Sequence, residues 1–203
     1  PSADGARLEG WVVLPRGYAA ARGPYPLVVN IHGGPHAAFG SGFQFGAQLL
    51  AARGYAVLYT NPRGSTGYGE KFLWATWGGW GVLDYQDIMA GVDHLMKRYA
   101  LDPRRLGVMG YSYGGFMTNW IITQTQRFAA AVAGAGVSNW ISDYGTADIP
   151  RTKESEFYGP PWEARSGELL RRQSPITWAG NVVTPTLFVH GESDFRVPIE
   201  QAE

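Results

Sequence analysis

The stretch that decides the fold is Leu106-Gly107-Val108-Met109-Gly110-Tyr111-Ser112-Tyr113-Gly114-Gly115-Phe116. It opens with a short apolar run of the kind found in buried strands, which leads directly into a Gly-x-Ser-x-Gly motif centred on Ser112. After the motif, Phe116, Met117, Trp120 and Ile121 recur at helical spacing. This motif between a strand and a helix predicts a nucleophile elbow, a tight bend that exposes the serine hydroxyl.

The two glycines of the motif, Gly110 and Gly114, have a steric explanation. A strand that reverses into a helix within a few residues brings backbones too close for a β-carbon, and glycine has none. The bend is expected to strain Ser112 and to place it at a helix N-terminus, where backbone N–H groups favour an anion. The alternative is a glycine-rich turn with a solvated serine, since the chain holds 28 glycines among 203 residues.

Composition excludes several classes of protein. Lys plus Arg and Asp plus Glu number 17 each, which gives no support for nucleic acid or an anionic membrane as a partner. The chain has no cysteine, so disulfides, thiolate metal sites and a cysteine nucleophile are excluded, and a cytoplasmic location is expected. No apolar run approaches a membrane span. The four histidines show no metal-ligand spacing, and neither a metal nor another cofactor is expected.

The order of the predicted elements indicates an α/β fold, with a mostly parallel sheet flanked by helices in one domain over residues 1–203. Helices alternate with strands along the chain, and the stretch 139–175 is expected to be irregular apart from one short helix. Strands are predicted at 7–14, 25–31, 55–59, 106–109, 129–133 and 184–190, and helices at 45–53, from Asp84 to Asp102-Pro103, after the elbow, and at 162–172.

A serine nucleophile needs a base to remove its proton and an acid to orient that base. In this fold the chain order is Ser, then Asp or Glu, then His, and Asp194 is the predicted acid because it follows an apolar strand. Its neighbour Glu192 is interpreted as a surface side chain, and the alternative for Asp194 is a loop aspartate that caps a turn. No histidine follows Asp194, so the general base is expected to be missing from this chain.

An oxyanion hole needs two donors aimed at one point. The first predicted donor is the backbone N–H of Tyr113, and the second comes from the loop His32-Gly33-Gly34-Pro35. Within that loop Gly34 is favoured and Gly33 is the alternative. His32 is interpreted as a residue that positions the loop, and His190 as one that packs or hydrogen-bonds at the end of its strand.

Taken together, these segments resemble the catalytic domain of the prolyl oligopeptidase family of serine peptidases, and most of all its acylaminoacyl-peptidase-like branch. The resemblance runs through nearly the whole chain. It is carried by Ser2-Ala3-Asp4-Gly5, Leu8-Glu9-Gly10-Trp11, His32-Gly33-Gly34-Pro35, Asn61-Pro62-Arg63-Gly64-Ser65, Gly110-Tyr111-Ser112-Tyr113-Gly114-Gly115, Ser174-Pro175, and His190-Gly191-Glu192-Ser193-Asp194 with Arg196-Val197-Pro198.

The resemblance implies an α/β-hydrolase fold in which Ser112 is the acylated nucleophile, Asp194 the triad acid, and Tyr113 and Gly34 the oxyanion donors. It also implies that Trp140 and Ile141 line the first specificity pocket, although Trp140 could equally be a core or lid aromatic. Arg63 resembles a residue that braces loops near the site, and a surface or structural ion pair is expected there rather than a contact with substrate.

The family carries a β-propeller before this domain and its catalytic histidine beyond the aspartate. The resemblance therefore implies a piece of a larger peptidase, C-terminally incomplete and inactive alone, with short peptides as substrates. The propeller, the C-terminal segment or a second copy of the chain are the expected partners. Two alternatives stay open: an esterase or lipase on the same fold, and a non-catalytic domain that associates through the exposed edge of strand 184–190.

Overall fold

The computed structural model describes residues 1–203 and contains one six-stranded sheet. The strands are β1 (Glu9–Val13), β2 (Tyr25–Ile31), β3 (Ala56–Asn61), β4 (Leu101–Tyr111), β5 (Ala130–Gly134) and β6 (Thr186–Val189). Their order across the sheet is β1-β3-β2-β4-β5-β6. Only β1 runs antiparallel to its neighbour, so the predicted mostly parallel sheet is confirmed.

Seven helices connect the strands. They are α1 (Phe45–Ala52), α2 (Glu70–Leu73), α3 (Leu83–Arg98), α4 (Tyr113–Gln124), α5 (Trp140–Thr146), α6 (Pro150–Phe157) and α7 (Ala164–Arg172). The apolar stripe of α3 is buried through Ile88, Val92 and Leu95, as its spacing predicts. None of the helices is both long enough and apolar enough to cross a membrane.

Strand β3, next to the edge strand β1, is covered on both faces of the sheet. All six of its residues are buried, and because side chains alternate, Ala56 and Leu58 enter the large core with α3 and α4. Val57 and Tyr59 point to the opposite face and pack with Ala47 of α1. A continuous apolar run without polar alternation is typical of such a doubly covered parallel strand.

The second face is covered unevenly. On the side of β5 and β6, Leu187 pairs in register with Val132, and Val189 with Gly134, and 60% of Leu187 and 51% of Val189 is exposed. Tyr111 of β4, in the same row as Gly134, is also exposed. α1 lies against β1 and β3. The half of this face formed by β5 and β6 is therefore bare and apolar.

Two predictions of secondary structure are wrong. Residues 140–157 were expected to be irregular, but they contain the short helices α5 and α6, while α7 lies within the helix predicted at 162–172. The helix expected to reach Asp102-Pro103 ends at Arg98, and β4 begins at Leu101. A register shift against β2 between Tyr25 and Leu27 lets the first part of β4 bulge, which accommodates Pro103.

Candidate active site

The bend between β4 and α4 has the geometry that the glycines predict. A β-carbon on Gly110 would lie 2.5 Å from backbone atoms of Gly114, and one on Gly114 would lie 2.2 Å from the carbonyl oxygen of Ile31. No side chain fits at either position. Ser112 between them has φ 60° and ψ −119°, a left-handed conformation that costs free energy in a residue with a β-carbon.

Ser112 lies at the carboxyl end of β4, where its backbone, and not its side chain, makes the hydrogen bonds that hold it. Its N–H donates to the carbonyl of Gly134 on β5 at 2.9 Å, and its carbonyl accepts from Phe116 in the first turn of α4. None of the side-chain hydrogen bonds of the chain involves the Ser112 hydroxyl, and Ser112 is only partly buried. The side chain lines a cavity of about 450 Å³, so the hydroxyl is free to meet a ligand there.

The loop His32-Gly33-Gly34-Pro35 runs beside the elbow. A β-carbon on Gly33 would lie 3.6 Å from Cβ of Ser112, and Gly34, Ser112 and Tyr113 line the same cavity. Neither the Gly34 nor the Tyr113 amide donates a hydrogen bond in the turns and loops. The two predicted oxyanion donors thus border one cavity together with the predicted nucleophile, while the catalytic roles themselves stay predictions.

His32 braces this loop from within. Its Nδ1 donates to the carbonyl of Gly33 at 2.7 Å, and its Nε2 lies 3.0 Å from Oγ of Ser65. Burial lowers the pKa of His32, an effect that the Gly33 carbonyl partly offsets. A neutral, buried imidazole with both nitrogens occupied matches the expected positioning role.

A buried carboxyl that sequence reasoning missed anchors the side chain of Tyr113. Asp84, at the start of α3, accepts from the Tyr113 hydroxyl at 2.5 Å and from the backbone amides of Gly81 and Tyr85. Burial raises the pKa of Asp84 to about 6, although the three hydrogen bonds oppose that rise. The hydrogen bond to Asp84 therefore anchors the side chain of Tyr113, the residue that follows Ser112 at the elbow.

Asp194 lies beyond the carboxyl end of β6, at the same edge of the sheet as Ser112. Tyr111, Gly134 and Val189 form one row across β4, β5 and β6, and Ser112 and Asp194 follow the first and last of these strands. Oδ1 of Asp194 accepts from the amides of Arg196 and Val197, both at 3.0 Å, so the aspartate does cap a turn. Its Oδ2 makes no hydrogen bond within the chain and can accept one from a histidine. Glu192 is exposed, as expected.

None of the four histidines of the chain hydrogen-bonds to Ser112 or to Asp194. His32 binds its own loop, and His190 Nε2 lies 2.7 Å from the carbonyl of Val197, which matches its predicted role. His94 is exposed on α3. His36 lies on the cavity wall, where Nδ1 contacts the carbonyl of Gly64 at 2.8 Å and Nε2 contacts Oε1 of Glu156 at 2.9 Å.

Of the two predicted pocket residues, Trp140 lines the cavity and Ile141 does not. Trp140 lines the cavity and belongs to a buried aromatic cluster, with ring centroids 5.2 Å from Trp80 and 4.8 Å from Phe116. It is therefore both a wall and a core residue. Ile141 is exposed and does not line the cavity. One step along a helix rotates a side chain by roughly 100°, which turns Ile141 away from the face that Trp140 presents.

Of the two kinds of ion pair expected for Arg63, surface or structural, the structure shows a buried structural one. Its guanidinium reaches both carboxylate oxygens of Asp87 on α3, at 2.8 and 2.6 Å, and also contacts Asp4. These hydrogen bonds, those to Asp87 above all, raise the pKa of Arg63 and hold it charged. Arg63 is buried and does not line the cavity, so it ties the N-terminus, the loop after β3 and α3 together.

Sequence reasoning also missed the charged side chains of α5 and α6 on the cavity wall. Asp143, Lys153 and Glu156 all line the cavity and are all buried. Lys153 Nζ lies 2.8 Å from Oδ2 of Asp143. Burial raises the pKa of Asp143, and the neighbouring Lys153 opposes the rise. No group of three or more histidine, aspartate or glutamate side chains is arranged to hold a metal ion.

A serine strained on a strand-to-helix bend, at the carboxyl edge of a mostly parallel sheet and facing a cavity beside a glycine loop, defines the class: this is an α/β-hydrolase fold. The sequence pattern of the prolyl oligopeptidase family matches residues 41–203. The chain belongs to the prolyl oligopeptidase family.

Individual relatives agree with this family. An uncharacterized peptidase, YuxL, of Bacillus subtilis is 48% identical over 98% of this chain and 30% of its own length. The acylamino-acid-releasing enzyme of Arabidopsis thaliana is 41% identical over 86% of this chain and 24% of its own length. The solved acylaminoacyl peptidase of Pyrococcus horikoshii superimposes with a TM-score of 0.90 at 36% identity, over 99% of this chain and 32% of its own. The chain spans a third or less of each of these proteins.

Proposed function

We propose that these 203 residues are the catalytic domain of a serine peptidase of the oligopeptidase or acylaminoacyl-peptidase type, which cleaves short peptides. The observation that carries the proposal is the placement of Ser112: it is strained at the elbow, unbonded at its hydroxyl, and lines a cavity with Tyr113 and Gly34. The membership of the prolyl oligopeptidase family and the similarity to an acylaminoacyl peptidase support it.

In the proposed reaction, Oγ of Ser112 attacks the carbonyl carbon of the scissile peptide bond. The backbone N–H groups of Tyr113 and Gly34 stabilise the negative oxygen of the tetrahedral intermediate. A histidine oriented by Asp194 takes the serine proton and returns it to the leaving amine, and water then hydrolyses the acyl-enzyme. None of the four histidines here hydrogen-bonds to Ser112 or Asp194, so the proposal needs a histidine from outside these residues.

The test compares the complete gene product that carries these residues with the 203-residue chain alone, using peptide p-nitroanilides. We expect the complete product to hydrolyse them, and Ser112→Ala to lower kcat by about 10⁴–10⁶-fold. The chain alone should match the alanine variant. Ser41→Ala, at an exposed loop serine, serves as the matched control. Normal hydrolysis by the 203-residue chain without added polypeptide would show that the required base lies within it.

An esterase or lipase on the same fold would use the same elbow and the same oxyanion donors. What favours the peptidase is the family match over residues 41–203. The two activities separate on paired substrates with one acyl group, a p-nitrophenyl ester and a p-nitroanilide. A complete gene product that turns over only the ester would replace the peptidase proposal with the esterase.

A second candidate role is association through the sheet, and one observation favours it. Strand β6 is an edge strand that pairs only with β5, and Leu187, Phe188 and Val189 on it are all exposed. An unpaired apolar edge is a template for another strand. We therefore propose that β6 and the bare half of the second face are covered by further polypeptide, from the complete gene product or from a second copy of this chain.

A further inference from the structure

The loop that follows β2 carries Gly34, the predicted oxyanion donor, and it is held from two sides. On one side lies the loop after β3, where the amide of Thr66 donates to the carbonyl of Ala37 at 3.0 Å. On the other side lies α6, and one hydrogen bond makes that connection, between His36 and Glu156 at 2.9 Å. His36 therefore joins the loop of the oxyanion donor to a helix that comes 120 positions later in the chain.

Both ring nitrogens of His36 are engaged. Nδ1 lies 2.8 Å from the carbonyl oxygen of Gly64, and Nε2 lies 2.9 Å from Oε1 of Glu156. Because a carbonyl oxygen only accepts, Nδ1 must carry a proton and donate it. The contact between Nε2 and the carboxylate then requires one further proton, which belongs either to an imidazolium or to a carboxyl group. In both forms the hydrogen bond is made, and the pair is neutral overall.

Glu156 gives His36 a fixed point of attachment. It is buried, and its second carboxylate oxygen, Oε2, accepts from the indole N–H of Trp80 at 3.2 Å. Its backbone carbonyl accepts from the amide of Gly78 at 2.7 Å. The residue therefore fastens α6 to the loop before α3 at two places, and each of its carboxylate oxygens has a partner, as a buried carboxylate requires.

The backbone of His36 lies directly against Gly34. Gly34 has a φ of +123°, and a β-carbon on it would lie 2.7 Å from the amide nitrogen of His36 and 3.0 Å from that of Ala37. The ring of Pro35, between the two residues, fixes one of the few backbone torsions that separate them. A displacement of His36 would therefore move the backbone at Gly34 rather than be absorbed along a flexible loop.

We propose that His36 and Glu156 are positioning residues for the oxyanion hole. Their hydrogen bond holds the amide of Gly34 where it and the amide of Tyr113 reach the same oxygen. The inference rests on the proposed function, since it needs the oxyanion that forms when Ser112 attacks. Donors that are aimed before the reaction cost no reorganisation as charge develops. A misplacement of about 1 Å can lower the rate by up to about 100-fold.

The test measures kcat and KM of the complete gene product on two substrates with one acyl group, a p-nitroanilide and a p-nitrophenyl ester. We expect Glu156→Leu to lower kcat about 10- to 100-fold on both and to change KM by less than about threefold, because the lost support acts on the transition state. His36→Asn keeps a donor for Gly64 and loses the contact with α6, so it should lower kcat to a similar extent. The double variant should lose little more than either single variant, since all three remove one contact.

Glu156→Gln is the conservative variant. Its amide N–H can donate to Nε2 of a neutral His36 while its amide oxygen accepts from Trp80, so the connection survives without the shared proton. It should restore most of the kcat that Glu156→Leu loses. The matched control is Glu154→Leu, which breaks a hydrogen bond to Tyr144 from the same helix, outside the cavity, and should keep both constants. If Glu156→Leu does not fold, the comparison of His36→Asn with Glu156→Gln decides.

Four outcomes are distinguishable. A wild-type kcat in Glu156→Leu and His36→Asn, or a rise in KM alone, would overturn the positioning role and keep the peptidase. A kcat in Glu156→Gln as low as in Glu156→Leu would also overturn it. Turnover of the ester alone, with the expected losses of kcat in the variants, would overturn the peptidase and keep the positioning role. Turnover of neither substrate by the wild-type product would overturn both.

Discussion

Asp84 is a fully buried carboxyl with a pKa raised to about 6, and burial is the largest cause. Its hydrogen bonds to Tyr113, Gly81 and Tyr85 favour the charged form, but they do not outweigh the loss of water. Nearby Asp87 adds to the rise through its negative charge. At neutral pH the carboxyl of Asp84 is therefore ionised next to the elbow, although its burial makes the ionised form less favourable than it is in the unfolded chain.

This raised pKa makes stability depend on pH in a definite direction. The folded pKa is about 6, above the unfolded value of about 3.9, so the contribution of Asp84 to stability is fully present below about pH 4 and is lost as pH rises to about 6. Asp84→Asn should flatten the pH dependence of the free energy of unfolding in this window, by on the order of 2–3 kcal/mol. Urea unfolding at several pH values measures it.

The control for Asp84→Asn is Asp93→Asn, an exposed carboxyl on the same helix, which should keep the wild-type pH profile. An unchanged profile in Asp84→Asn would mean that the carboxyl titrates normally despite its burial.

At the scale of elements, the elbow depends on glycine at Gly114. Gly114→Ala would push a β-carbon to within 2.2 Å of the carbonyl oxygen of Ile31, a backbone atom that cannot move aside without shifting β2. We expect a loss of stability comparable to the whole free energy of folding, at least about 5 kcal/mol. Measurement of soluble yield and of urea unfolding of the variant checks this.

Gly46→Ala is the matched substitution for Gly114→Ala. Gly46 lies within α1, and a β-carbon there would meet no atom within 4 Å. We expect this variant to gain about 0.5–1 kcal/mol, since alanine is the better helix former. Similar stabilities for the two variants would refute the steric explanation of the elbow.

The ion pair of Arg63 and Asp87 joins the loop after β3 to α3. Arg63→Ala leaves the buried Asp87 without its cation and should cost about 3–5 kcal/mol. Arg63→Ala/Asp87→Ala removes both charges and should cost less than the sum of the two single variants, with a coupling of about 1–3 kcal/mol. Additive losses in this double-mutant cycle would mean that the two side chains act independently.

The elements that could be predicted from the sequence are those fixed by local patterns. β2 is observed at its predicted bounds because a run rich in apolar and β-branched residues, between Pro24 and a glycine loop, is typical of a buried strand. The elbow was predictable because the five-residue motif itself contains the cause: its two glycines stand where the backbone comes too close for a β-carbon. α5 and α6 were not, since their helices are short, polar and framed by glycine and proline, and tertiary packing decides them.

The same reason explains the side chains that were missed. Asp143 and Lys153 lie ten positions apart on two helices that no local pattern predicts, and only the packing of α5 on α6 brings them together. Asp84 meets Tyr113 across 29 positions of sequence. A sequence motif identifies residues at a fixed spacing along the chain. A contact between side chains of two different elements can be recognised only once the fold is known.

At the scale of the whole molecule, the exposed edge of β6 predicts association of the 203-residue chain. Phe188 and Leu187 point to opposite faces of that strand, and both are exposed. Light scattering with sizing chromatography should show species larger than the monomer at rising concentration. Phe188→Lys should shift the chain toward the monomer, because an edge charge opposes strand pairing. A strictly monomeric wild-type chain would contradict the association proposal.

The proposed reaction requires that the hydroxyl of Ser112 forms the acyl-enzyme. The most direct measurement is mass spectrometry of the complete gene product after reaction with a fluorophosphonate, followed by peptide mapping of the adduct. We predict one adduct per chain, on Ser112, and we expect Ser112→Ala to abolish both the adduct and the peptidase activity. An active enzyme whose adduct maps to another residue, or one that survives Ser112→Ala, would contradict it.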